Sequence, residues 1–131
     1  MSWSTAWVVA LGSALGGVAR VWGTELVQRL AGDALPWGTL AVNLLGSLLI
    51  GLVAGLSVPE GRWMMHPLTK QFFLLGLFGG FTTFSSFSLQ TLNLLRDGEV
   101  AKAAVYVGAS AVLCVLAAWL GHLLAVAWHR S

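Results

Sequence analysis

Gly79-Gly80-Phe81-Thr82-Thr83-Phe84-Ser85-Ser86-Phe87-Ser88 sits inside residues 71–95, a run without Asp, Glu, Lys or Arg. A spanning helix needs about 20 mainly apolar residues, so the run reads as a membrane span. Its centre is poor material for one. Adjacent glycines are flexible and weak helix formers, and the two threonines that follow Phe81 are β-branched. The stretch therefore predicts a helix that breaks from Gly79 through Thr83 and resumes at Phe84. Irregular backbone at membrane depth is tolerated where it is buried in protein or lines a wet cavity, which makes this stretch the candidate functional centre.

The rest of the chain agrees with a membrane setting. Of 131 residues, 57% are hydrophobic and 9% charged, against about 25% charged in soluble domains. The twelve Asp, Glu, Lys and Arg residues fall in four places: Arg20 to Asp33, Glu60 to Lys70, Arg96 to Lys102, and Arg130. Between them lie the uncharged runs 1–19, 34–59, 71–95 and 103–129. Lipid offers exposed backbone groups no partner, so these runs must be helical. The fold expected is an all-α membrane protein, a single four-helix transmembrane domain over 1–131 with a break in the third helix. The spans are placed at about 3–29, 35–57, 67–95 and 100–128. The seven tryptophans lie mostly near the run ends, as interfacial anchors do. Asp33-Ala34-Leu35-Pro36, Val58-Pro59-Glu60-Gly61 and Asp97-Gly98 mark the turns, and His66-Pro67 opens the third span. Met1-Ser2-Trp3-Ser4 lacks the positive start of a signal peptide, so the first run reads as a retained span.

Lys and Arg in the loops balance. Arg62, Lys70 and Arg130 would share one side; Arg29, Arg96 and Lys102 would share the other. The positive-inside rule then sets no strong orientation, and insertion both ways, with an antiparallel homodimer, becomes possible; alternatively Arg20 settles one orientation. Gly12 and Gly16, Gly51 and Gly55, and Gly76 and Gly80 are pairs spaced by four that suit close helix approach. Four short helices are too thin a bundle to enclose a pore comfortably, which favours oligomerisation. The single cysteine excludes an internal disulfide, and the small dispersed net charge of +2 gives no nucleic-acid footprint.

Polar groups inside the spans form stripes. Thr39, Asn43 and Ser47 share one helix face, as do Tyr106, Ser110 and Cys114. Thr82, Thr83, Ser85, Ser86 and Ser88 add hydroxyls. A lone Ser or Thr in a span usually bonds back to its own helix, and Asn43 alone would be interhelical glue. Taken together the stripes suggest a narrow polar track. No carboxylate lies in the central part of any run, which argues against proton-coupled export. Hydroxyls, an amide, positive ring edges and Arg20 suit a small anion instead, and the lack of an embedded lysine suits passage without trapping. Phe81, Phe84 and Phe87 recur at intervals of three, so consecutive rings share a helix face; in isolation they would read as ordinary apolar packing.

Three motifs in order carry a resemblance to a known family. Gly79 to Ser88 is similar to the signature of the Fluc (CrcB) fluoride channels, and Gly16-Gly17-Val18-Ala19-Arg20 and Gly38-Thr39-Leu40-Ala41-Val42-Asn43-Leu44-Leu45-Gly46 extend the match. The resemblance covers essentially the whole chain. It implies a multi-pass protein of the cell (inner) membrane, an antiparallel dual-topology homodimer with two pores that exports fluoride passively. Phe84 and Phe87 then match pore phenylalanines, Asn43 the pore asparagine, and Tyr106 and Ser110 the fourth-helix polar track, with Thr83 among the pore hydroxyls. Arg20 matches an arginine near the aqueous vestibule. Gly79 and Thr82 match residues whose backbone carbonyls hold a structural Na⁺ on the dimer axis. Cys114 stands where a hydroxyl is more usual, and Gln90 where many members have glutamate. The rivals are a small dual-topology multidrug exporter, for which Glu25 is the one candidate carboxylate, and a non-transporting assembly subunit. No Ser-His-Asp set or ligand cluster suggests an enzyme.

Overall fold

The computed structural model describes residues 1–57 and 64–131. The turn expected at Val58-Pro59-Glu60-Gly61, together with Arg62 and Trp63, lies outside the described residues. Those that are described form helices and turns, with no strand among them. Helix α1 spans Trp3–Ala31 and α2 Trp37–Leu56. The third span, Pro67–Arg96, is in two parts. The first, α3 (67–81), strings together Pro67–Gln71, a π-helical segment Phe72–Leu77 and Phe78–Phe81; the second is α4 (Phe84–Arg96). Helix α5 spans Val100–Arg130. All four spans are long and apolar enough to cross a bilayer, and the chain is a multi-pass membrane protein.

Local chemistry sets the ends. Ser2 caps α1, its Oγ accepting the Thr5 N–H at 3.2 Å. Gly32, at φ 83°, ends α1 in a conformation open to glycine. Gln28 then fastens the α1–α2 turn. Its Nε2 donates to the carbonyls of Gly32 (2.6 Å) and Leu35 (3.0 Å), and its Oε1 accepts the Gly38 N–H at 3.1 Å. Pro67 occupies the first turn of α3, where its missing N–H costs no bond.

Two tight helix pairs make the bundle: α1 with α3, and α2 with α5. The four-spaced glycines form both seams. A Cβ on Gly12 would stand 2.7 Å from the Phe72 carbonyl oxygen, and one on Gly80 2.5 Å from that of Ser13. On the other seam, a Cβ on Gly55 would meet the Ala125 Cβ at 2.6 Å, and Gly51 lies directly on the Ala118 backbone. These glycines are therefore spent on contacts within one chain. By contrast, among the described residues α4 packs on α5 and, slightly, α2.

Candidate functional site

Helical geometry lapses at Thr82 (φ −87°, ψ 156°) and Thr83 (φ −149°, ψ 110°). Of the break expected from Gly79 through Thr83, the first three residues, Gly79 to Phe81, are helical, and Gly80 is used for packing on Ser13. What holds the lapse is Asn43. Its Oδ1 accepts the Thr83 N–H at 2.7 Å and its Nδ2 donates to the Thr83 carbonyl at 3.2 Å. One amide thus satisfies both backbone groups of a residue outside any helix, as burial requires; Thr83 is 6% exposed. The Thr83 hydroxyl then caps α4, accepting the Ser86 N–H at 3.1 Å and donating to Ser86 Oγ at 3.0 Å, with Ser85 Oγ at 3.3 Å.

These bonds redirect two donors. In a continuous helix the Thr83 N–H would serve the Gly79 carbonyl and the Ser86 N–H the Thr82 carbonyl. With the first on Asn43 and the second on Thr83 Oγ1, both carbonyls lose their helical donor. They are hard oxygen ligands of the kind a small cation takes. No cluster of three or more His, Cys, Asp or Glu suited to a metal occurs among the described residues.

Beside this link lies a cavity of about 560 Å³, far above the roughly 10–15 Å³ one water needs. Helix α2 contributes Asn43, Ser47 and Ile50; the link and α4 contribute Thr82, Phe84 and Phe87; α5 contributes Val107, Ser110, Ala111, Cys114 and Val115. The walls are mostly apolar, with a few polar groups set into them. Ser110 is the most telling: it is 7% exposed, and its Oγ has no hydrogen-bond partner among the described residues. Phe84, 79% exposed on the single chain, stacks obliquely on Phe87 with centroids 5.2 Å apart.

Phe87 in turn lies 5.2 Å from the ring of Tyr106, which is 1% exposed. Tyr106 donates its hydroxyl proton to Gln90 Oε1 at 2.8 Å. Gln90 lines a second, more polar cavity of about 320 Å³ with Thr24, Gln28, Asp33, Asn93 and Asp97. Tyr106 thus touches one wall residue of each space, Phe87 of the first and Gln90 of the second. The sequence reading left Gln90 unassigned; its place three residues after Phe87, on the same helix face, was the available signal.

The structure brings together Asn43, Thr82, Phe84, Phe87 and Ser110 on the cavity wall, with Thr83 and Tyr106 directly behind. Arg20 is half-buried on α1, which supplies no residue to the cavity beside the link. Two hydroxyls expected in the polar track are committed to their own helices: Thr82 Oγ1 donates to the Phe78 carbonyl (2.9 Å) and Ser88 Oγ to that of Phe84 (2.9 Å).

The model of the CrcB-like proteins, described as camphor resistance (CrcB), matches residues 7–122. The chain belongs to the CrcB family. Curated CrcB relatives carry a functional name. The chain is 51% identical to the fluoride-specific ion channel FluC of Methylocella silvestris, over 95% of this chain and 94% of that one. It is 53% identical to the FluC of Opitutus terrae over 90% and 89%, and 46% identical to that of Paramagnetospirillum magneticum over 94% and 96%. The CrcB match takes in every residue of the cavity wall.

Proposed function

We propose that this CrcB chain is a fluoride-selective channel that lets F⁻ leave the cytoplasm passively. The observation that carries it is the Ser110 hydroxyl: buried, unpartnered, and set in the wall of a cavity that also holds the Phe84 and Phe87 rings. A buried hydroxyl without a partner carries a desolvation cost of about 1–3 kcal/mol. A small, strongly accepting anion removes that cost by accepting a hydrogen bond from it. The Asn43 Nδ2 has a second proton beyond the one given to Thr83, and the phenyl edges are positive. Among the described residues no lysine or arginine lines the cavity, so an anion meets neutral donors that bind weakly enough to release it. Tyr106 has its proton on Gln90 and contributes to the path only when that bond opens.

The same reading assigns an antiparallel dual-topology homodimer, supported by the three-against-three balance of loop Lys and Arg and by the exposure of Phe84, Ser85 and Gly79 on one chain. It assigns the Gly79 and Thr82 carbonyls to a Na⁺ shared by two copies, supported by the loss of their helical donors. Bound Na⁺ would supply positive charge beside the link. The multidrug-exporter alternative has nothing to stand on at the cavity: Glu25 is paired with Arg29 at 3.4 Å on an exposed part of α1.

Reconstitution in liposomes loaded with fluoride or chloride tests the proposal. Fluoride efflux recorded by ion electrode is expected, with chloride retained. Absence of fluoride efflux, or equal chloride efflux, overturns it.

A further inference from the structure

Cys114 is the one thiol in the chain, and it lies in the wall of the same cavity as the unpartnered Ser110 hydroxyl. Four residues separate the two on α5, about 6 Å along the helix on one face. Ile50 and Val115 flank the space with apolar surface, and Ser47 stands on the opposite helix. The thiol is half-buried, so the cavity is its way out. Sulfur is a soft ligand that selects soft metals over the hard cations suited to carbonyl oxygens.

We propose that Cys114 is a soft-metal site in the conduction wall, and that a mercuric ion bound there closes the path to fluoride. The inference rests on the conduction reading above. Neutral, linear HgCl₂ suits a cavity that has donors but no acidic side chain in its wall. The thiol gives up its proton, sulfur displaces one chloride, and the products are a Cys114–S–Hg–Cl adduct, H⁺ and Cl⁻; no oxidation state changes. The bulky Hg–Cl arm then fills the space in front of Ser110 and removes that hydroxyl from the anion. A hydroxyl in place of the thiol would bind mercury poorly, so this single residue makes the channel sensitive to thiophilic metals.

The experiment uses the full chain in fluoride-loaded liposomes, with HgCl₂ added before efflux is started and intact mass measured on the same sample. Fluoride efflux is expected to be lost, with one mercury per chain, and to return with excess dithiothreitol. C114S and C114A, each compared with its own untreated flux, are expected to be insensitive. An adduct on Cys114 with unchanged efflux overturns the placement on the path. No adduct overturns the metal site, and inhibition that persists in C114A overturns the assignment to this thiol. If untreated protein shows no efflux, the conduction reading fails, and the adduct still decides whether Cys114 binds the metal.

Discussion

The two halves of the third span answer to different demands. Helix α3 is packed by its backbone. Gly76 and Gly80 lie on α1, Phe78 is buried, and a π-helical segment follows the Gly12 seam. Helix α4 has few neighbours and shows Phe84, Ser85 and Ser88 to the outside. Between them one side chain from α2, Asn43, holds the two-residue link. The difference teaches how a thin bundle carries a few polar groups beside a break in a helix. One half is locked by close approach so that the other need not be, and the cost of the irregular link falls on a single amide.

The sharpest way to break the contrast is to unlock α3. A Cβ on Gly16 would lie on the Leu77 carbonyl and 2.8 Å from the Phe81 nitrogen. Overpacking costs about 1–3 kcal/mol when side chains can adjust; backbone atoms cannot rotate away, so Gly16→Leu is expected to exceed that range. The variant should fail to give a monodisperse species in detergent, whereas Ser88→Leu on exposed α4 should remain monodisperse. Normal behaviour of Gly16→Leu would show that the α1–α3 seam is loose.

Next in size is Asn43→Ala. Removing the amide leaves the Thr83 N–H and carbonyl without their partners, each worth about 1–3 kcal/mol if it stays dry. Water from the adjacent cavity offsets part of this, so a stability loss of about 2 kcal/mol is expected, read by thermal denaturation in detergent. Fluoride efflux should fall much further than stability, because the link and the cavity lose their shape together. A variant with normal flux would remove Asn43 from the site and leave it as helix glue.

Phe84→Ile and Phe87→Ile separate the ring edges from the fold. Phe84 is exposed on one chain, so its replacement should cost little beyond its ring contact with Phe87; Phe87 loses that contact and the one with Tyr106, each worth about 1 kcal/mol. Both are expected to abolish or sharply slow fluoride efflux with the fold retained. Wild-type rates would take the rings out of the path. Tyr106→Phe is a gentler probe of the wall. It removes the bond to Gln90, at about 1 kcal/mol, and should alter efflux less than loss of either phenylalanine.

How much of this was readable beforehand depended on the range of the cause. The four spans were legible because charge is absent over long runs, a property of each segment alone. The glycine spacing was legible as close helix contact, although not which helices it joins. The link was drawn too wide: of Gly79 through Thr83, Thr82 and Thr83 alone leave the helix. Gly79-Gly80 looked like the break by propensity, yet a helix packed on Ser13 keeps both glycines, and the lapse falls where Asn43 reaches Thr83 from forty residues away. No local rule contains that bond. Thr82 and Ser88 were counted with the track for the same reason: only in the folded chain do their hydroxyls turn back on their own helix. Ser110 was legible as part of a stripe, but its lack of a partner was not.

Thr82→Ala makes the smallest and most discriminating change. The Thr82 hydroxyl donates to the Phe78 carbonyl, and its Cγ2 rests on Gly46. Alanine gives up both, a back-bond of about 0.5–1.5 kcal/mol net and one methyl group, while keeping the main-chain carbonyl. If that carbonyl is the sodium ligand, fluoride efflux and its dependence on external Na⁺ should stay close to those of the wild type when Na⁺ is exchanged for an organic cation. A changed sodium dependence with unchanged stability would mean that the hydroxyl itself takes part. Loss of stability with unchanged sodium dependence would place Thr82 with α3, among the residues that lock the frame, and would leave Asn43 and Thr83 alone to hold the join between the halves.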